Sequence, residues 1–186
     1  EAKRYTEEQF VALDAMEDNK QVIFAGPAGT GKTTLAIEAA RRAGLQGRSV
    51  LFVCFNRLLG SQLKEEIAGS PGVSVRTLHS HLLSTARERP PANAPSEYWS
   101  RQLPERASYA LMEGPAESGN LFDLLVIDEA QDIVSPAYLD FLDLCLRGGL
   151  QAGRWLMFGD FEMQMIYGER ANEVHALLDR RFGHVP

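Results

Sequence analysis

Gly26-Pro27-Ala28-Gly29-Thr30-Gly31-Lys32-Thr33 fits the pattern G-x-x-x-x-G-K-[ST] at every fixed position. Such a loop does one kind of chemistry. Its glycines let the backbone wrap close to phosphate oxygens, and the following helix points its first N–H groups at the anion. Lys32 is placed to reach the β- and γ-phosphates, and the Thr33 hydroxyl is placed to ligate Mg²⁺. A second candidate lies further along, where Leu124-Leu125-Val126-Ile127 runs into Asp128-Glu129. Asp128 suits Mg²⁺, which takes oxygen ligands and keeps several waters. Glu129 suits the polarising of a water that attacks the γ-phosphate. The expected cofactors are therefore ATP and Mg²⁺. The expected nucleotide contacts are Gly26, Pro27, Ala28, Gly29, Thr30, Gly31, Lys32, Thr33 and Thr34.

These residues need elements to hold them. Short apolar runs at 21–26, 49–55, 73–77, 121–128 and 154–160 alternate with helix-like segments at 32–43, 57–68, 136–147 and 173–181. Several of the runs are apolar almost throughout, as strands covered on both faces are. In 136–147, Leu139, Leu142 and Leu146 recur at helical spacing. The pattern predicts an α/β domain of the P-loop type, a parallel sheet with helices on both faces. Such sheets bind ligands beyond the carboxyl ends of their strands, and both candidate clusters fall at run ends. One stretch breaks the alternation. Residues from about 84 to 120 are polar and carry Pro90, Pro91, Pro95, Pro104 and Pro115. They read as a short insertion with a helix around 98–112, pinned to the core by Tyr98 and Trp99.

Size and composition bound the rest. The 186 residues fit one domain with a sizeable core. No apolar run approaches the ~20 residues that span a bilayer, so no membrane partner is expected. The start is charged and polar, unlike a secretory signal. Cys54 and Cys145 sit in apolar runs and read as buried reduced thiols, which favours a cytoplasmic setting. The net charge of −6 counts against a dedicated nucleic-acid module, although a local groove can be positive on an acidic protein. The chain does not begin with Met, and it is read as a piece of something longer.

With Asp128-Glu129-Ala130-Gln131-Asp132 in view, the chain resembles the superfamily 1 helicases of the UvrD/Rep type, in their first RecA-like domain. The likeness is collinear and covers nearly the whole chain. Gln9 in Tyr5-Thr6-Glu7-Glu8-Gln9 resembles the Q motif, whose Gln reads the adenine edge. Val53-Cys54-Phe55-Asn56-Arg57 and Thr77-Leu78-His79-Ser80-His81 resemble two motifs on the nucleic-acid path. Gly159-Asp160-Phe161-Glu162-Met163-Gln164-Met165-Ile166-Tyr167-Gly168 resembles G-D-x-x-Q-x-I-Y, whose Gln contacts the γ-phosphate. The resemblance implies catalysis by Lys32, Asp128, Glu129 and Gln164. It also implies contacts of Phe55, Asn56, Thr77, His79, Tyr167 and Arg170 with a single strand, DNA before RNA.

The sequence also departs from that family. Glu169 stands where the family usually carries an aromatic that stacks on a base, and a carboxylate cannot stack. The stretch between Ser80 and Asp128 has room only for a short insertion, which looks more like the compact helicase-like ATPases fused to nuclease-related domains. The arginines that a second RecA-like domain would bring lie outside this sequence. Such an arginine is worth roughly 10³–10⁵ in rate, or about 4–7 kcal/mol. The chain alone is therefore expected to bind ATP and hydrolyse it slowly. Two readings follow: a motor domain moving on single-stranded nucleic acid, or a regulatory switch ATPase that does not translocate. Transfer to a small molecule, as in a kinase, fits the acidic strand end poorly.

Overall fold

The computed structural model describes residues 6–27, 29, 31–114 and 121–160. Five parallel strands form one sheet in the order β1-β5-β4-β2-β3. They are β1 (Gln21–Ala25), β2 (Val50–Cys54), β3 (Val73–Thr77), β4 (Leu124–Ile127) and β5 (Arg154–Gly159). The helices are α1 (Glu7–Asp18), α2 (Lys32–Leu45), α3 (Arg57–Ile67), α4 (Leu78–Ala86), α5 (Leu103–Glu113), α6 (Pro136–Cys145) and α7 (Gly149–Ala152). The α/β architecture expected from the alternating runs is the one observed.

Both faces of the sheet are covered, and the alternation of side chains along each strand decides which residue goes where. On one face Val50, Phe52 and Cys54 of β2 join Leu124, Val126, Leu156 and Phe158 under Leu35, Ala36, Leu63 and Ile67 of α2 and α3. Leu13 and Met16 of α1 belong to the same cluster. On the other face Leu51, Val53, Leu125, Ile127, Trp155 and Met157 pack under Leu78, Leu82, Leu103, Phe141 and Leu142. Every residue of β2 and β4 is buried. That explains why these runs read as continuously apolar.

The described part of the expected insertion, 84–114, contributes to this second face. It holds the end of α4, a π-helical turn at Tyr98–Gln102, and α5. Tyr98, Leu103 and Ala107 are buried in the core. The Tyr98 hydroxyl donates to Glu88 Oε2 at 3.2 Å, and Arg106 Nη1 donates to the same carboxylate at 3.1 Å. The helix expected around 98–112 is present, and its buried face, with Tyr98, packs on the core as expected.

Two helices carried signals that the alternating pattern did not register. α1 begins with Thr6 as its cap: Gln9 N donates to Thr6 Oγ1, and Thr6 N donates to Gln9 Oε1 at 2.9 Å. This is a reciprocal capping box, written in the sequence as Thr6-x-x-Gln9. α4 begins at Leu78 with Thr77 as cap, so the Thr77 to His81 run is a helix start.

The register brings the strand ends level. Ala25 pairs with Gly159, Met157 with Ile127, Val53 with Ile127, and Cys54 with Thr77. The residues that leave these strands, Gly26, Asp160, Asp128, Phe55 and Leu78, therefore emerge along one edge.

Candidate nucleotide site and the aromatic rim beside it

At the end of β1 the chain turns into α2 through glycines. Gly29 and Gly31 have φ of 83° and 82°, in the left-handed region that side chains disfavour. At Gly31 a Cβ would also lie 2.9 Å from Gln9 Nε2. Gly31 is the cap residue of α2, and no side chain caps that end. The first N–H groups of α2 thus meet the loop rather than a hydroxyl or carboxylate cap, the arrangement an anion site needs.

Lys32 is 6% exposed, and its ammonium donates to the carbonyls of Gly26 and Pro27, each at 2.6 Å. The Thr33 hydroxyl donates to Asp128 Oδ2 at 2.8 Å. That bond spans β5, which stands between β1 and β4 in the sheet. Asp128 is fully buried, and its amide donates back to Val53 O of β2 at 3.0 Å. Burial pushes its carboxyl up from the usual range, while the Thr33 hydroxyl and the Glu129 amide, bonded to Oδ1 at 3.0 Å, pull it down. The buried Asp128 carboxyl also feels the charge of the buried Lys32 ammonium, so the site is polar and held out of water.

Glu129 has φ of 52°, a left-handed conformation that costs a side-chain-bearing residue of order 1–3 kcal/mol. The chain turns sharply there and leaves the sheet edge through a 3₁₀ turn at Ala130–Asp132. Gln131 Nε2 donates to Glu129 Oε2, and Gln131 Oε1 accepts from Asp160 N at 3.2 Å. Gln131 thereby ties the acidic end of β4 to the end of β5. It was legible only as a letter of the Asp128 to Asp132 motif, because its partner at 160 is brought close by strand order alone.

The residues present fit a divalent hard cation. Thr33 and Asp128 offer hydroxyl and carboxylate oxygens side by side. Among the described residues no three His, Cys, Asp or Glu side chains cluster as a metal site. Mg²⁺ commonly needs only one or two protein oxygens beside phosphate and water.

The candidates for nucleic-acid contact lie at the other half of the same edge. Phe55, 36% exposed, follows β2, and its ring centroid is 4.9 Å from that of His79. His79 in turn lies 4.7 Å from Trp99 with the ring planes 35° apart. Tyr138 of α6 bonds both: its hydroxyl is 3.3 Å from His79 Nε2 and donates to Trp99 O at 3.1 Å. Burial lowers the His79 pKa and so disfavours the charged ring. Asn56 and Thr77 serve as helix caps. Asn56 Oδ1 accepts from Leu58 N and Leu59 N, and Thr77 Oγ1 accepts from Ser80 N. Gln9 is divided between its own capping box and the approach to Gly31. Thr34 lies half-buried in the first turn of α2.

The structure therefore gathers Gly26, Pro27, Lys32, Thr33 and Asp128 in one site, with Glu129 next to Asp128. It sets Phe55 and His79 apart from them with two aromatics, Trp99 and Tyr138, that the motifs did not name as partners. Ala28, Thr30, Gln164, Tyr167, Glu169 and Arg170 lie outside the described residues. So does the helix-like segment at 173–181. No helix among the described residues is long and apolar enough to cross a membrane.

Comparison with known proteins agrees with this geometry. A family described as AAA domain matches residues 9–170. No curated protein matches the chain. The match spans α1, the phosphate loop, the acidic end of β4 and the run after β5. The chain belongs to the AAA domain family, a P-loop nucleoside triphosphatase family related to the UvrD/Rep-like helicases, and is a nucleotide-binding ATPase domain.

Proposed function

We propose that this ATPase domain is the motor part of a superfamily 1 helicase or helicase-like protein, converting ATP hydrolysis into movement on single-stranded nucleic acid. The observation that carries the ATP chemistry is the Thr33 to Asp128 hydrogen bond of 2.8 Å beside the buried Lys32. The loop amides and the start of α2 would hold the β-phosphate, and Lys32 would exchange a loop carbonyl for phosphate oxygens. Thr33 and Asp128 would hold Mg²⁺, which supplies charge neutralisation on the β- and γ-oxygens. Glu129 would orient water for in-line attack and take up its proton as the bond between γ-phosphorus and the bridging oxygen breaks. Gln131 would keep the Glu129 carboxylate aimed. Gln164, a second RecA-like domain and its arginine would complete the site, and the chain alone is expected to turn over slowly.

Movement on a strand is supported by the aromatic rim that begins at Phe55. The β4 end bonds directly to β2 through Asp128 N and Val53 O, so the two halves of the edge share a backbone contact. Binding of a fluorescent ATP analogue is expected to weaken at least tenfold in Lys32→Ala, an effect of at least ~1.4 kcal/mol. Phosphate release by the wild-type chain is expected to rise when single-stranded DNA is added. Equal nucleotide affinity in the two proteins would refute the role of Lys32. The net charge of −6 favours a second reading, a regulatory switch ATPase that does not translocate. Absence of both strand binding and stimulation would select it.

A further inference from the structure

We propose that Trp99 is a base-stacking residue, completing with Phe55 and His79 a platform for the unpaired bases of a single strand. The inference rests on the single-strand reading above and adds to it a residue outside the motifs that suggested that reading.

The platform is assembled from separate parts of the chain. Phe55 leaves β2, His79 lies in the first turn of α4, and Trp99 comes from the π-helical turn between α4 and α5. Their rings form a continuous series, 4.9 Å from Phe55 to His79 and 4.7 Å from His79 to Trp99. The series ends in solvent at Phe55. It stands beyond the carboxyl ends of β2 and β3, the side on which parallel sheets take their ligands.

These rings are held from beneath by hydrogen bonds. Tyr138 holds the His79 ring by its nitrogen and Trp99 by its backbone carbonyl. Tyr98, the neighbour of Trp99, is 3% exposed and bonded to Glu88. A π-helical turn interrupts a helix at a cost, and such turns concentrate at functional positions. Here it turns Tyr98 into the core and leaves Trp99 half-buried against His79.

Trp155 shows what a purely structural tryptophan looks like in the same protein. It is 2% exposed, and its indole N–H donates to Leu150 O at 2.8 Å. Trp99 instead is only half-buried, packed at the margin of the core cluster where the ring series begins. Stacking suits a strand partner in particular, because every base offers a π face whatever its identity.

The test uses the full chain and a fluorescein-labelled oligothymidylate. Anisotropy reads binding, and an unlabelled oligonucleotide reads quenching of tryptophan emission. Wild type is expected to bind with quenching. Trp99→Phe, whose remaining indole is the buried Trp155, is expected to bind without it. Trp99→Ala is expected to bind about 5- to 150-fold more weakly, the range for one lost base stack. Binding by wild type without quenching, with Trp99→Ala or Trp99→Phe equal in affinity and in emission response, would overturn the role of Trp99 alone. No anisotropy change with wild type would overturn the single-strand reading and this inference together.

Discussion

The two halves of the sheet edge are built on different physics. At β1, β5 and β4 the parts are polar and joined by directed bonds: Lys32 to loop carbonyls, Thr33 to Asp128, Gln131 to Glu129 and Asp160. At β2 and β3 the parts are rings, ordered by contact and by one tyrosine hydroxyl. The helices differ in the same way. α2 starts at Gly31 with no side-chain cap, whereas α3 and α4 start at Asn56 and Thr77, whose side chains take up the first amides. An uncapped start leaves donors for a ligand, and a capped one spends them on stability. Losses in the polar half should therefore appear in chemistry, and losses in the aromatic half in folding or strand binding.

The largest expected effect probes the aromatic half from beneath. His81, on the same helix as His79, is packed against Phe141 and Phe122 with its Nε2 3.6 Å from Cys145 Sγ. Burial, with a smaller contribution from Arg76, pushes its pKa down to about 4. The unfolded chain, with a histidine pKa near 6.5, takes up the proton first as pH falls. Stability from this residue is complete above about pH 6.5 and is lost toward pH 4, by roughly 3 kcal/mol. Denaturant titrations should show wild type losing that much more than His81→Gln across this window. Parallel curves would mean that His81 is not held neutral by the core.

A smaller effect sharpens the polar half. Gln131→Ala removes the link between the ends of β4 and β5 and should lower ATP turnover about 10- to 100-fold, as loss of a supporting partner commonly does. The Kd for nucleotide should change far less, because the Gln131 side chain bonds Glu129 Oε2 and Asp160 N at the ends of β4 and β5. A fall in affinity equal to the fall in turnover would place Gln131 in binding rather than in aiming Glu129.

The smallest effect separates the two helix starts. Asn56→Ala should cost about 1 kcal/mol of stability through loss of the α3 cap. Thermal or chemical melting measures it, with Asn56→Gly, whose expected cost is only a few tenths of a kcal/mol, as the control. If Asn56→Ala leaves stability untouched but abolishes strand binding, then Asn56 contacts the ligand and the contrast between capped and uncapped starts is wrong.

Much of this was readable beforehand where the information is local. The phosphate loop could be read because its glycines, Lys32 and Thr33 lie within one turn of chain, and the strands could be read because β2 and β4 are buried on both faces. The helix around 98–112 and the anchoring of Tyr98 could also be read, whereas the meeting of Tyr98 with Glu88 could not, because the fold brings those two residues together. α1 had a local signature in Thr6 and Gln9, which the strand–helix alternation passed over.

The amino-acid order by itself determined the loop, the acid pair, the sheet-forming runs and the family resemblance, since each depends on neighbours a few residues apart. Only the tertiary structure decided that Thr33 meets Asp128 across β5, that Gln131 reaches Asp160, and that Trp99 lies against His79. Those contacts follow from the strand order and from helices crossing between strands, and no spacing along the chain encodes which distant side chains a parallel sheet will bring to its edge.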